Sequence, residues 1–559
     1  MHVLASRARA LLPRRSDWTA GLRDRRRNLI AGLTVAVVAL PLALAFGVAS
    51  GLGARAGLIT AIVAGGLAAI FGGSNLQVSG PTGAMTVVLI PVVHRYGANG
   101  VLMVGMLGGA VLVVAAFAGM GRAARYLPAP VIEGFTAGIA VVIVLQQVPA
   151  MLGTAGTGDK AWQSAFQSVR HYLHHPLAGP PIIALSVAAL ILIGVRWRPA
   201  IPVSLAVVAA ATLVVDLVGL HVARLGSLPS SLTAPNASFF DRHLLTALIP
   251  SALAVAALGA LESLLSAAVA DGLTVDQHHD PDRELLGQGI ANLITPLFGG
   301  VPATGAIART AVNARAGATS RLSALTHALA LAVVVLAAAP LVGKIPIAAL
   351  GGVLLATCIQ MVEVGSLLAI SRATRADALT LVVTLVITVV ANLVTAVAVG
   401  IAIAVFLALR SISQAARLDQ VPLDHGDHDQ EEHELLAEHI VAYRIDGPLF
   451  FAAAHRFLLE LTEVAYVRIV ILRLSRVTSL DVTGAQVLGD AINRLERRGI
   501  TVLLSGIRPG HDQILATLGI ADTLRESGRV FLDTPAAISY ARNLVHAEPV
   551  PSTAVLVAE

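Results

Sequence analysis

From about residue 29 to residue 416 the chain is apolar in long runs separated by short polar breaks, and there the pattern ends. Leu29–Ala49, Val101–Ala118, Ile182–Val195, Leu322–Val342 and Ala378–Leu409 approach or exceed the roughly 20 residues that carry a helix across a bilayer core. Backbone N–H and C=O groups find no water at that depth, so these runs predict helices rather than open sheet. A polar interruption ending at Asp241–Leu244 divides the region into two hydrophobic halves, roughly 29–220 and 244–416. Residues 417–437, with Asp424-His425-Gly426-Asp427-His428 through Glu434, read as an acidic, solvated linker. Across 438–545 the period changes. Strands at Ile440–Ile445, Arg468–Leu474 and Thr501–Leu504 alternate with helices at Ala453–Thr462, Thr483–Arg498 and Pro509–Leu518, which predicts a small layered α/β domain ahead of a tail at 546–559.

Each hydrophobic half holds one apolar run broken by Gly, Pro and Thr. In the first half it is Ser79-Gly80-Pro81-Thr82-Gly83-Ala84, and in the second Pro302-Ala303-Thr304-Gly305-Ala306, at similar depths from the start of each half. A single Gly-Pro kink is common in membrane helices, but matched breaks in two halves mark the substrate site of inverted-repeat transporters. A half-helix that begins inside the membrane presents free N–H groups and the positive end of its dipole. Two such ends facing one another hold an anion without a lysine. Thr82 and Thr304 add hydroxyl donors, and the glycines permit close backbone approach. The expected solute is therefore anionic.

Composition supports the membrane assignment. Hydrophobic residues make up 56% and charged residues 13% of the 559, against about a quarter charged in soluble domains. Fifty glycines with only 4% aromatics suit closely packed helices. The formal charge of +5 does not point to nucleic acid, because the basic residues gather at span ends. Eight arginines from Arg7 to Arg27 make residues 1–28 a basic N-terminus and place it on the cytoplasmic side of a cell membrane. No cleavable apolar segment follows Arg14-Arg15, so the pair is not an export signal. The lone Cys358 lies in an apolar run and is read as a packing residue. The acid and histidine cluster at 424–434 lacks an ordered surround for a metal, and no metal or cofactor is expected. No Gly-rich phosphate loop or catalytic pair stands out in the C-terminal domain, so an enzyme is not expected.

Two charges lie inside apolar segments, where isolated charge is costly and usually functional. Glu262, within Ala256–Leu265, suits a group that takes up and releases a proton, its plainer role being an interhelical hydrogen bond. Arg309, five residues after Thr304, holds the substrate, balances Glu262 or anchors the second broken helix. Glu133 reads as interfacial, and Gln146 and Gln147 as either lining or packing residues.

Four segments together resemble the SulP anion permeases, solute carrier family twenty-six, over nearly the full chain. They are Ala31–Pro41, Gly73–Ala84, Gly259–Leu265 and Ala306–Ala318. Asp446–Ala454 and Ser479–Gly484 resemble the STAS domain. The resemblance implies fourteen spans in a seven-plus-seven inverted repeat like that of the uracil permease, working as a homodimer by elevator motion. It implies a substrate site between the third and tenth spans, adding Ala45 and Phe46 to Pro81, Thr82, Gly83, Ala84, Thr304, Gly305, Ala306 and Arg309. Sodium-using bicarbonate members carry aspartate and threonine where this chain has Glu262 and Ser266; the glutamate and Ile307-Ala308-Arg309 are similar to the proton-coupled dicarboxylate branch. Four-carbon dicarboxylate, sulfate and bicarbonate all fit the expected site, and uncoupled exchange or a channel is the alternative to symport. In soluble STAS proteins a residue in the place of Thr483, two after Asp481, is phosphorylated by a partner kinase; a helix N-cap is the role favoured for it here.

Overall fold

The first apolar run forms helix α1 (Arg25–Ala49) in the structure, a computed structural model. Residues 11–15, 17–18, 24–122, 128–154, 156, 160–197, 203–226, 234–274, 278–391, 393–415, 417–420, 439–449 and 467–547 are described. The chain divides into two compact units, Met1–Ala404 and Val405–Glu559. In the first, α1 is followed by α2 (Ala54–Phe71), a two-residue strand β1 (Ser79–Gly80) and α3 (Gly83–Ala118), which breaks at Gly97 with φ 66°. Next come α4 (Ala129–Leu152), the short amphipathic α5 (Ala161–His174), α6 (Gly179–Trp197) and α7 (Val203–Val218). The second half supplies α8 (Leu245–Gly272), α9 (Pro281–Ile294), strand β2 (Thr304–Gly305) and α10 (Ile307–Arg315). It continues with α11 (Leu322–Gly343), α12 (Ile347–Met361), α13 (Val364–Ala373), α14 (Arg375–Val390) and α15 (Leu393–Ala415), whose last turns from Val405 onward fall in the second unit. Among the described residues, eight helices or helix pairs are long and apolar enough to cross a bilayer.

These helices sort into two packed groups. Helices α1, α2, α3, α8, α9, α10 and α11 pack mainly on one another, and α4, α6, α12 and α14 form a second set. Each group draws helices from both halves of the sequence. The groups meet where α1 touches α12 and where α3 touches α4, and α7 packs on both α1 and α6. Small residues set the spacing: a Cβ on Gly47 of α1 would lie 2.9 Å from the Cα of Gly57 in α2, so the two backbones are in contact. Cys358 is buried in α12, as a packing residue would be.

The second unit is built on a sheet in the order β3 (Arg417–Gln420), β4 (Ile440–Leu449), β5 (Ile469–Arg473), β7 (Thr501–Ser505) and β8 (Val530–Phe531), with β6 (Val477–Leu480) pairing β4. All neighbours are parallel except the antiparallel β3–β4 pair. Helices cover both faces. Val470 and Leu472 pack towards α16 (Val482–Arg497), while Ile469 and Ile471 pack towards α19 (Thr534–Ala547). Doubly covered parallel strands read as continuous apolar runs, which is why the β5 run was legible. The connecting helices α17 (Pro509–Thr517) and α18 (Asp522–Glu526) complete the unit. Strands β3, β6 and β8 and helix α19 went unread: their runs are two to four residues, or in α19 amphipathic at the chain's end. The linker expected at 417–437 opens instead with strand β3, because pairing with β4 takes Arg417–Gln420 into the sheet, and α19 runs two residues past the domain end expected at 545. Residues 421–437, the expected helix at Ala453–Thr462 and the tail after residue 547 lie outside the described residues.

Candidate anion-binding site

The two broken segments meet. β1 and β2 pair antiparallel, Ser79 opposite Gly305 and Gly80 opposite Thr304, although 225 residues separate Gly80 from Gly305 in the chain. Three residues past β1, helix α3 starts at Gly83; two past β2, α10 starts at Ile307. Neither start is closed by a side-chain cap from Thr82 or Ala306, so the first N–H groups of both helices stay available. Because the strands run in opposite directions, the two positive helix ends are held next to one another. A Cβ on Gly83 would lie 3.1 Å from Cε1 of Phe46, which places that ring over the start of α3; Ala45 is buried beside it. Pro81, Gly83 and Ala84 are buried, and Ala306 keeps partial exposure.

The side chains converge on Glu262 of α8. Its Oε2 accepts a hydrogen bond from Thr82 Oγ1 at 2.8 Å and from Thr304 Oγ1 at 2.6 Å, and the two hydroxyl oxygens are 3.1 Å apart. Such a trio is satisfied in either protonation state. With the carboxylate ionised, both hydroxyls donate to it; with it protonated, the carboxyl donates to one hydroxyl, which donates to the other. Glu262 as a residue is half-buried. Thr82 and Thr304, expected to donate to a solute, are therefore engaged with the carboxylate. Arg309 is 1% exposed; its Nη2 donates to the carbonyl of Pro81 at 2.8 Å, and Nη1 has no partner among the described residues. The guanidinium lies behind the first broken segment, where Gly80 makes room: a Cβ there would come 2.5 Å from Nη1 and 3.3 Å from Cζ.

A polar frame that sequence reasoning missed fixes both segments. On α9, Asn292 hydrogen-bonds both the carbonyl and the N–H of Ala303, at 2.9 and 2.7 Å. Gln288 donates to Ser79 Oγ at 2.6 Å, and Glu284 accepts from the N–H groups of Gly73 and Ser74 at 2.8 and 3.1 Å. Glu284, Gln288 and Asn292 recur every fourth residue, one stripe of a buried helix, and that spacing is the signal in the sequence. From α8, Ser263 accepts from the N–H of Gly305 at 2.9 Å and Ser266 donates to Thr310 at 2.9 Å. His327, wholly buried on α11, faces Gly65 of α2. Elsewhere, Gln146 accepts from Thr86 at 3.4 Å, Gln147 is buried, and Glu133 accepts from Ser366 at 3.0 Å near the start of α4.

Comparison with known proteins decides the family. The sulfate permease family profile matches residues 26–384, most of the chain, and the STAS domain profile matches residues 436–537. The chain belongs to the sulfate permease family. Membership makes it an anion transporter and not an enzyme. YvdB of Bacillus subtilis strain 168, provisionally named a sulfate transporter, is 34% identical over 518 residues, covering 89% of this chain and 94% of YvdB. The transmembrane domain of a cyanobacterial bicarbonate transporter, BicA, superposes with a TM-score of 0.62 at 33% identity, covering 67% of this permease and 98% of that domain. The murine Solute Carrier 26 family member A9 anion transporter, solved facing inward, gives a TM-score of 0.80 at 17% identity over 92% and 91% of the two chains, a likeness of fold.

In the permease's STAS domain, one expectation is corrected. The N-cap of α16 is Asp481, whose Oδ1 accepts from the N–H of Gly484 at 2.7 Å. Thr483 lies one residue inside the helix, exposed. A carboxylate accepts a cap bond more strongly than a hydroxyl, so the aspartate takes the position.

Proposed function

We propose that this permease couples inward movement of a small oxyanion to a proton carried by Glu262, with the anion seated between the starts of α3 and α10. The observation that carries the reading is the carboxyl of Glu262 held by both Thr82 and Thr304, one from each broken segment. An anion arriving at the free N–H groups of Gly83–Met85 and Ile307–Arg309 meets a negative charge while the carboxylate is ionised. Protonation removes that charge without breaking the trio, so anion and proton are taken up together and released together. Arg309 tethers Pro81 and adds positive potential from behind.

The division into two helix groups, each assembled from both halves, supports elevator motion of the α1–α3 and α8–α11 group against the other. Counting α3 as two spans broken at Gly97, and the short helices α7, α9, α10 and α14 as spans, gives seven in each half, with both termini cytoplasmic in the cell membrane. A homodimer is the working unit by family resemblance, and exposed Thr483 is open to a partner kinase. Among substrates, names of relatives favour sulfate and bicarbonate. The resemblance of Glu262 and Ile307-Ala308-Arg309 to the dicarboxylate branch favours four-carbon dicarboxylates. Uptake of labelled succinate, fumarate, sulfate and bicarbonate into proteoliposomes, each with and without an acid exterior, separates these. Accumulation of one of the four that requires the acid exterior supports the reading; uptake indifferent to the gradient for all four refutes it.

A further inference from the structure

Helix α5 carries three parallel stripes at the same spacing. Ala161, Ala165, Ser168 and Tyr172 form the stripe turned inward, buried or half-buried, and the helix packs against α4. One position on, Trp162, Phe166, Val169 and Leu173 form an apolar stripe that is exposed, Phe166 by 67% and Leu173 by 73%. One further on, Gln163, Gln167, Arg170 and His174 form a polar stripe. A helix that spans a bilayer has no use for the third stripe, and a helix in water has no use for the second. The combination suits a helix lying in the plane of the interface, with one flank in acyl chains and the next among headgroups.

We infer that α5 is a lipid-facing interfacial helix whose Arg170 and His174 select anionic phospholipid headgroups. Two observations name lipid rather than protein as the occupant. The exposed apolar positions go on along the chain through Leu177 to Ile182, Leu185, Leu190 and Ile193 of α6, so the stripe leads directly in sequence into a spanning helix whose exposed residues are apolar too. Between Lys160 and Gly179 the chain carries Lys160, Arg170, His171, His174 and His175 and no acidic residue, which complements a phosphate-rich surface. Trp162 opens the apolar stripe, at the position where an amphipathic ring favours the headgroup boundary.

The test uses Trp162 as the reporter in the full-length protein. The chain has three tryptophans, so Trp18→Phe with Trp197→Phe leaves Trp162 alone. This variant is reconstituted in phosphatidylcholine vesicles containing brominated phosphatidylglycerol or brominated phosphatidylcholine at equal mole fraction, with bromines near the headgroup or near the acyl terminus. Shallow bromines are expected to quench more than deep ones, and the phosphatidylglycerol probe to quench more strongly than the phosphatidylcholine probe, by roughly fivefold in apparent affinity for one arginine at the surface. Arg170→Gln should bring the two probes together while keeping the depth dependence. Quenching independent of depth, or equal for both headgroups before Arg170 is changed, overturns the proposal. Trp162 unquenched by any probe also overturns it, and means that a second protein chain covers the stripe.

Discussion

Replacing Glu262 by glutamine tests the proton role with little change of shape. The amide oxygen still accepts from Thr82 and Thr304, so the trio persists at a cost of about 1 kcal/mol for exchanging charged for neutral hydrogen bonds. What disappears is the switchable charge. An ionised carboxylate about 4 Å from a bound anion opposes it by about 4 kcal/mol at an effective dielectric of about 20, near a thousandfold in affinity. In the native protein a proton must remove that penalty, and an inward gradient of one pH unit then supports about tenfold accumulation for one proton per anion. In Glu262→Gln the site is permanently neutral. Proteoliposomes loaded with unlabelled substrate should still exchange it for labelled anion, while accumulation driven by an acid exterior falls to about unity. Tenfold accumulation surviving in Glu262→Gln would refute the assignment.

Gly80→Ala places a methyl group against the Arg309 guanidinium and should break the bond to Pro81; overpacking and the lost charged hydrogen bond together predict a destabilisation of about 2–5 kcal/mol, read as a lower midpoint of thermal inactivation in detergent. Asn292→Leu leaves both polar groups of buried Ala303 unpaired and should cut exchange activity by more than tenfold with protein still inserted in the membrane, because the start of α10 loses its anchor. Asp481→Ala should cost about 1 kcal/mol at the α16 cap, seen as roughly fivefold faster amide exchange at its first turn by mass spectrometry of the full chain. Asp17 is drawn in two directions: burial raises its pKa, but bonds from Arg283 at 2.6 Å and the N–H of Arg14 outweigh that and hold it below the usual carboxylate range. Its contribution to docking Leu11 and its neighbours is therefore complete above pH ~4 and lost as pH falls through the lowered value; Asp17→Asn should reproduce the loss at neutral pH as faster trypsin cleavage at Arg14-Arg15.

The membrane helices and the two broken segments were legible because lipid forces long apolar runs and because Gly, Pro and Thr interrupt them at matched places. The meeting of Glu262 with Thr82 and Thr304 was only half legible. Each residue stood out singly, but their contact depends on the pairing of Ser79-Gly80 with Thr304-Gly305, two-residue strands too short to leave a period. The supporting stripe of Glu284, Gln288 and Asn292 was hidden by the opposite problem: polar residues at helical spacing read as a solvated face until the helix is seen to be buried. Arg321 shows the same effect. It reads as a loop charge at a span end, yet it is buried and its Nε donates to Asn75 at 2.9 Å, fixing the approach to the first broken segment. In the STAS domain the aspartate two residues before Thr483 supplied the cap, because cap position depends on where the first helical residue falls, and pattern alone misplaces that by a residue or two.

If Glu262 carries the proton, each anion enters with one. Vesicles containing the wild-type protein and a trapped pH-sensitive dye, clamped at zero membrane potential and equal pH on both sides, should acidify inside when substrate is added outside, in fixed proportion to labelled anion taken up. Anion uptake with no change in internal pH would contradict it.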